Sequence, residues 1–166
     1  SKTSQMLEVL GNGSVSTGGC IVANDNNPQR AYMLVHQLKR INSDHPVVLI
    51  TSCDAQFFPS LRHQQYTKIL CDVPCTGDGT SRKNIGVWRS WNSVAAYSMH
   101  TLQYNIAWKG LSQLLRVTDG YMCYSTCSLN PIENEAVVAN LLRQSNGCVE
   151  LVDCRALLSS KFKTRP

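Results

Sequence analysis

Two cysteines stand where a thiol can react. Cys75 ends the run Asp72-Val73-Pro74-Cys75, in which the proline fixes φ and holds the following thiol on a rigid loop rather than in a strand. Cys127 lies in Ser125-Thr126-Cys127-Ser128-Leu129-Asn130-Pro131, a strand-to-helix turn that presents a side chain at a sheet edge. Both sit among small polar residues near a helix start, where a thiolate is favoured. Three acids join them. Asp25, Asp54 and Asp72 each come at or just after the end of a short apolar run, and a carboxylate soon after a strand can accept hydrogen bonds from both hydroxyls of a ribose. Singly, each also suits a helix cap or a turn; the repetition at successive strand ends points to a ligand.

The chain holds eight cysteines, an even number that invites a disulfide framework, but nothing secretory accompanies them and the thiols are expected to stay reduced. There is no Cys-x-x-Cys pair, and the shortest spacings are Cys71 to Cys75 and Cys123 to Cys127, so no metal site is expected. Cys20, Cys71, Cys123 and Cys148 lie in apolar runs and read as small buried hydrophobes, while Cys53 and Cys154 have no assigned part. Sixteen Lys and Arg against eleven Asp and Glu leave a formal charge of +5, which tolerates an anionic partner without requiring one. With 43% hydrophobic and 16% charged residues the chain reads as globular rather than disordered, and 166 residues suit about one domain. No apolar run approaches the length that spans a bilayer, and Ser1-Lys2-Thr3 opens no signal peptide, so a soluble, non-secreted protein away from membranes is expected.

The elements that must carry these residues follow from periodicity. Lys2 to Leu10 repeats at helical spacing and stops at Gly11, with a Gly/Ser loop running on to Gly19. Cys20 to Ala23 reads as a short strand; Asn24 to Pro28 is a cluster of turn and cap residues, and Pro28 to Ile41 a helix. Val47 to Ile50 and Lys68 to Val73 are further strands. An irregular segment containing Trp88 and Trp91 leads to a helix from Tyr97 to Leu115, then a strand over Gly120 to Ser125, a helix over Pro131 to Leu142 and a strand over Cys148 to Val152. Short apolar strands alternating with helices imply βαβ units, an α/β fold with a mostly parallel sheet and its site beyond the carboxyl ends of the strands.

The stretch Ile69 to Thr80 with its Cys71-Asp72-Val73-Pro74-Cys75 core, then Arg82-Lys83-Asn84 ahead of Trp88, then Tyr124-Ser125-Thr126-Cys127 on through Pro131-Ile132-Glu133-Asn134-Glu135, resembles the Sun-domain family of RNA cytosine-5 methyltransferases. Gly77-Asp78-Gly79-Thr80 followed by Arg82-Lys83-Asn84 is most similar to the family's eukaryotic tRNA branch, and the resemblance runs from Ser1 to about Leu151. It implies a Rossmann-like class I fold that binds S-adenosylmethionine and methylates C5 of cytosine in RNA, tRNA in first place. By this likeness Cys127 is the nucleophile that adds to cytosine C6, Cys75 assists product release and Asp72 contacts the ring at N3. DNA cytosine methyltransferases attack with a Pro-Cys thiol, so Cys75 as the nucleophile stays open as an alternative. The cofactor would meet Asp25 at its ribose, Asp54 beside adenine and Asp72 near its methionine end, with Ser1 and Lys2 remaining from a glycine turn.

Family members carry a further strand and a Cys-Ala-Ala-Pro-Gly turn before Ser-Lys-Thr. Residues 1–166 are therefore expected to be a partial catalytic domain lacking the first strand, the glycine loop and the RNA-binding flanks. That expectation keeps two other readings in view: a catalytically inactive Rossmann-like RNA-binding or scaffolding fragment, and a cysteine-rich metal or redox module. Arg82 and Lys83 suit phosphate contacts or a solvated loop, and Trp88 and Trp91 suit base stacking or packing over the sheet edge. The resemblance further implies a monomer in the nucleus or nucleolus, with the cytoplasm as the other compartment.

Overall fold

A computed structural model of the protein describes residues 1–11, 19–40, 48–60 and 65–155. The chain divides into two compact units, Ser1–Ile69 with Lys109–Tyr121, and Leu70–Trp108 with Met122–Pro166.

In the first unit, helix α1 (Lys2–Gly11) is capped by Ser1, whose Oγ accepts the Ser4 N–H at 3.2 Å. Strand β1 (Ile21–Asn24) pairs in parallel with β2 (Val48–Thr51), Ile21 opposite Val48 and Asn24 opposite Thr51. Helix α2 (Pro28–Lys39) makes the crossover between them. Asn27 starts it, its side-chain oxygen accepting the Gln29 and Arg30 N–H groups, and Pro28 supplies a preset φ at the first helical position. Leu7, Ile21 and Ala23 form the core of this unit, with Met6, Leu34, Leu38, Val48 and Ile50 packed against it.

A second sheet pairs β3 (Lys68–Asp72) with β4 (Tyr121–Ser125), Leu70–Asp72 and Met122–Ser125 of these strands belonging to the second unit. Bonds from the Tyr121 N–H to the Thr67 carbonyl and from the Val73 N–H to the Ser125 carbonyl advance along both strands together, so this pair is parallel as well. Between them lie a 3₁₀ turn at Asp78–Thr80, a short helix α3 (Gly86–Ser90), the long helix α4 (Ser93–Lys109) and a π-helical turn at Gly110–Leu114. Helix α5 (Glu135–Gln144) follows β4. The α/β class and its parallel strands are as the alternation implied, arranged among the described residues as two two-stranded sheets.

Several local expectations change. The segment around Trp88 is helical, in α3, rather than irregular. Helix α4 begins earlier than Tyr97 because Asn92 accepts the Ala95 N–H at 2.8 Å and caps it. Cys148 to Val152 is not a strand: Leu151 and Val152 are exposed and pair with no strand among the described residues, after Asn146 and Gly147 turn the chain with positive φ. Of the four cysteines expected to be buried, only Cys71 is. Cys20 precedes β1, Cys123 lies on the same open face of β4 as Tyr121, and Cys148 falls in the irregular stretch. Trp88 and Trp91 do not pack away; they are 75% and 44% exposed. The expected Gly/Ser loop and the residues Ile41 and Val47 lie outside the described residues.

Candidate functional site

The second unit brings its two strand-exit thiols together. The loop after β3 carries Cys75 and the turn after β4 carries Cys127, and their Sγ atoms stand 3.1 Å apart, with the Cys127 N–H donating to the Cys75 Sγ at 3.2 Å. Backbone ties hold the loops in register: the Gly79 N–H bonds the Cys127 carbonyl at 3.0 Å, and the Leu129 N–H bonds Asp78 Oδ1 at 2.9 Å. Glycine is required at 79, since a Cβ there would lie 2.8 Å from the Cys127 carbonyl oxygen. Gly77 turns the loop with φ of 73°. Partial burial, reinforced by the hydrogen bond with Cys127, pushes the Cys75 thiol up to about 11, although N–H groups of Cys127 and Gly77 pull the other way. Cys75 therefore keeps its proton at neutral pH and can donate it in a hydrogen bond toward Cys127, whose sulfur is exposed.

The residues that follow the two thiols share a carboxylate that reading the sequence for chemistry did not single out. Glu133 is fully buried and accepts four hydrogen bonds: from the Thr76 N–H, Thr76 Oγ1, Gln103 Nε2 and Ser128 Oγ. Gln103, also fully buried, donates to the Pro74 carbonyl at 2.8 Å as well. His100 Nδ1 and the Ile132 carbonyl are 2.8 Å apart, and the Tyr124 hydroxyl donates to the Glu133 carbonyl at 2.7 Å. A signal was present in the spacing. Glu133, Val137, Leu141 and Ser145 recur every four residues and are all buried, so Glu133 continues the inward stripe of α5. On α4, Ala96, Gln103 and Ala107 mark the corresponding inward face.

In the first unit, Asp25 and Asp54 follow the paired strands β1 and β2. Asn24 ties the two exits: its Nδ2 donates to the Cys53 carbonyl at 2.9 Å, while its Oδ1 accepts from Thr51 Oγ1, the Cys53 N–H and the Cys53 thiol. Asn24 and Cys53 are thus structural neighbours of the two acids. Asp25 Oδ1 accepts the Asn27 N–H at 2.9 Å and its Oδ2 pairs with Arg30 Nε at 3.0 Å. Asp54 caps the 3₁₀ turn Ala55–Phe57 through the Gln56 N–H. The cap and turn roles are real, yet a carboxylate has about four acceptor directions, so Asp25 retains capacity for a diol.

Asp72 ends β3 and is exposed, and Arg82 and Lys83 lie exposed in the loop after the Asp78–Thr80 turn. Ser1 and Lys2 form the start of α1. Among the described residues no group of three His, Cys, Asp or Glu side chains is placed to hold a metal ion, and no helix is long and apolar enough to cross a membrane.

Parallel strands with a helical crossover, acids at strand ends and reactive groups on the loops beyond define a Rossmann-like α/β protein. A solved structure titled "Crystal Structure of PH0851" has that likeness, with a TM-score of 0.66 and 29% identity over 76% of this chain and 28% of its own. The chain belongs to the 16S rRNA methyltransferase RsmB/F family, whose model matches residues 1–164. It is 47% identical to the multisite-specific tRNA:(cytosine-C(5))-methyltransferase of Saccharomyces cerevisiae over 99% of this chain and 25% of the relative. The tRNA (cytosine(34)-C(5))-methyltransferase of Drosophila melanogaster is 45% identical over 98% of this chain and 23% of the relative. The chain thus spans about a quarter of the length of these curated relatives.

Proposed function

We propose that the protein carrying this chain methylates C5 of cytosine in RNA, with tRNA as substrate, through a covalent bond between Cys127 and cytosine C6. The observation that carries the reading is the contact of two thiols from successive strand exits in a chain of this family. C5 of cytosine is a weak nucleophile. Addition of the Cys127 sulfur to C6 moves the ring's electrons onto C5, and Asp72 at N3 relieves the charge that builds in the ring. Cys75, protonated, lies in contact with the attacking sulfur and can donate a hydrogen bond to it. Once C5 is methylated, solvent water acting as the base takes the C5 proton, that bond's electron pair re-forms the C5–C6 double bond, and the Cys127–C6 bond breaks with its electron pair returning to sulfur. Cys75 serves this release.

S-adenosylmethionine, when bound, supplies a methyl group on a positively charged sulfur. Asp25 keeps acceptor capacity, which supports its assignment to the ribose hydroxyls; the assignments of Asp54 to adenine and of Asp72, Ser1 and Lys2 to the methionine end rest on the family resemblance. Arg82 and Lys83 contact RNA phosphate. The protein acts as a monomer in the nucleus.

The test is adduct trapping in the full-length protein with tRNA containing 5-azacytidine, which stalls release. Cys127→Ala is expected to abolish the covalent adduct and lower turnover by about a thousandfold or more, while Cys75→Ala still forms the adduct and accumulates it. An adduct with Cys127→Ala and none with Cys75→Ala would reverse the two roles.

A further inference from the structure

We infer that Glu133, held by Gln103, is the positioning residue that sets the spacing of Cys75 and Cys127. The residue immediately after each thiol bonds this one carboxylate: Thr76 through its N–H and hydroxyl, Ser128 through its hydroxyl. The β3 loop and the β4 turn are thereby joined at a single buried group through the residue that follows each thiol. With the Gln103 bond added, all four acceptor directions of the carboxylate are filled, so it has no capacity left for a substrate or a proton transfer. Gln103 in turn orients the carboxylate from α4 and holds the Pro74 carbonyl just ahead of Cys75. Its amide cannot be flipped, because its nitrogen faces two acceptors, the Pro74 carbonyl and Glu133 Oε2. His100 steadies the same turn at Ile132. Unlike the exposed tie between Leu129 and Asp78, this cluster is withdrawn from water, where hydrogen bonds are stronger and unpaired groups cost more. The consequence for catalysis, a sulfur pair close enough for one thiol to act on the other, rests on the function proposed above.

The experiment reads the spacing directly, without cofactor or RNA. Full-length protein is treated with the azo oxidant diamide, which takes two hydrogens from two thiols as they join in a disulfide, and the Cys75–Cys127-linked peptides are followed by mass spectrometry. Glu133→Ala is expected to slow this link by about tenfold or more, since proximity sets the effective concentration of one thiol at the other. Glu133→Gln should restore the rate to within about threefold, because the amide oxygen can accept from Thr76 N–H and Gln103 while its nitrogen donates to the two hydroxyls. Should Glu133→Ala not fold, as judged by circular dichroism and the thermal midpoint, Ser128→Ala decides: it removes the hydroxyl that joins the Cys127 turn to Glu133, together with that hydroxyl's contacts to the Asn130 N–H and Thr76 Oγ1, and linking should slow several-fold. A wild-type linking rate in folded Glu133→Ala or in Ser128→Ala overturns the inference, as does a Glu133→Gln rate as slow as that of Glu133→Ala. Loss of the proposed methylation would instead appear as wild-type protein that links its thiols normally yet forms no adduct with RNA.

Discussion

Because partial burial and the contact with Cys127 push the Cys75 thiol to about 11, its thiolate is scarce at neutral pH. At pH 8 its thiolate fraction is about a hundredfold below that of a thiol at the ordinary 9.0; the greater intrinsic nucleophilicity of a more basic sulfur recovers part of this, leaving about a tenfold deficit. Iodoacetamide labelling of the Cys75 peptide should therefore be about ten times slower at pH 8 than labelling of a free-cysteine peptide, and should keep rising to about pH 11. A rate that levels off near pH 9 would show an ordinary thiol. Cys75 and Cys127 were legible from their neighbours, because a proline before one and a strand-to-helix turn around the other are local features. Their contact was not legible, since no local rule relates residues 52 apart. Asp25 and Asp54 were legible as strand-exit acids, whereas the partners that already occupy them, Asn27, Arg30 and Gln56, appear only in three dimensions.

Helix α2 shows local chemistry setting an element. The Asn27 oxygen satisfies two N–H groups that the first turn would leave unpaired. Asn27→Ala is expected to lower unfolding stability by about 1 kcal/mol, measured by urea unfolding; an unchanged midpoint would mean another group caps the helix. Strand bounds were legible to within a residue or two for β1 to β4, because apolar runs flanked by turn residues leave few options. The strand expected over Cys148 to Val152 failed because strand character depends on a partner, and Leu151 and Val152 stand in the open. Glu133 escaped notice for a related reason. Asn130-Pro131-Ile132-Glu133-Asn134-Glu135 reads as a polar helix start, and only its four-residue spacing to Val137 and Leu141 shows that the first glutamate turns inward.

Across the whole molecule, one buried and one partly buried thiol make stability fall in alkali. Burial pushes Cys71 to about 12, with Asp72 and Cys123 adding to it, and Cys75 stands at about 11. Both folded-state values lie above the ordinary 9.0, so the folded chain holds these protons more tightly than the unfolded one. Their contribution is fully present below about pH 9 and is lost as pH rises toward 11 and 12. The thermal midpoint should be lower at pH 10.5 than at pH 8, and Cys71→Ala should flatten that fall; a midpoint that holds or rises would contradict the raised thiol values. The +5 charge, by contrast, identifies no site, being spread over the sequence. By itself the sequence determined the alternation of strands and helices, the acids and thiols at the strand exits, and the family, because these depend on residue type and short-range order. Only the tertiary structure decided that the two thiols touch, that a buried carboxylate ties the residues following them, and that most of the remaining cysteines face water. Burial and hydrogen-bond partnership depend on what folds against a residue, and its sequence neighbours do not specify that.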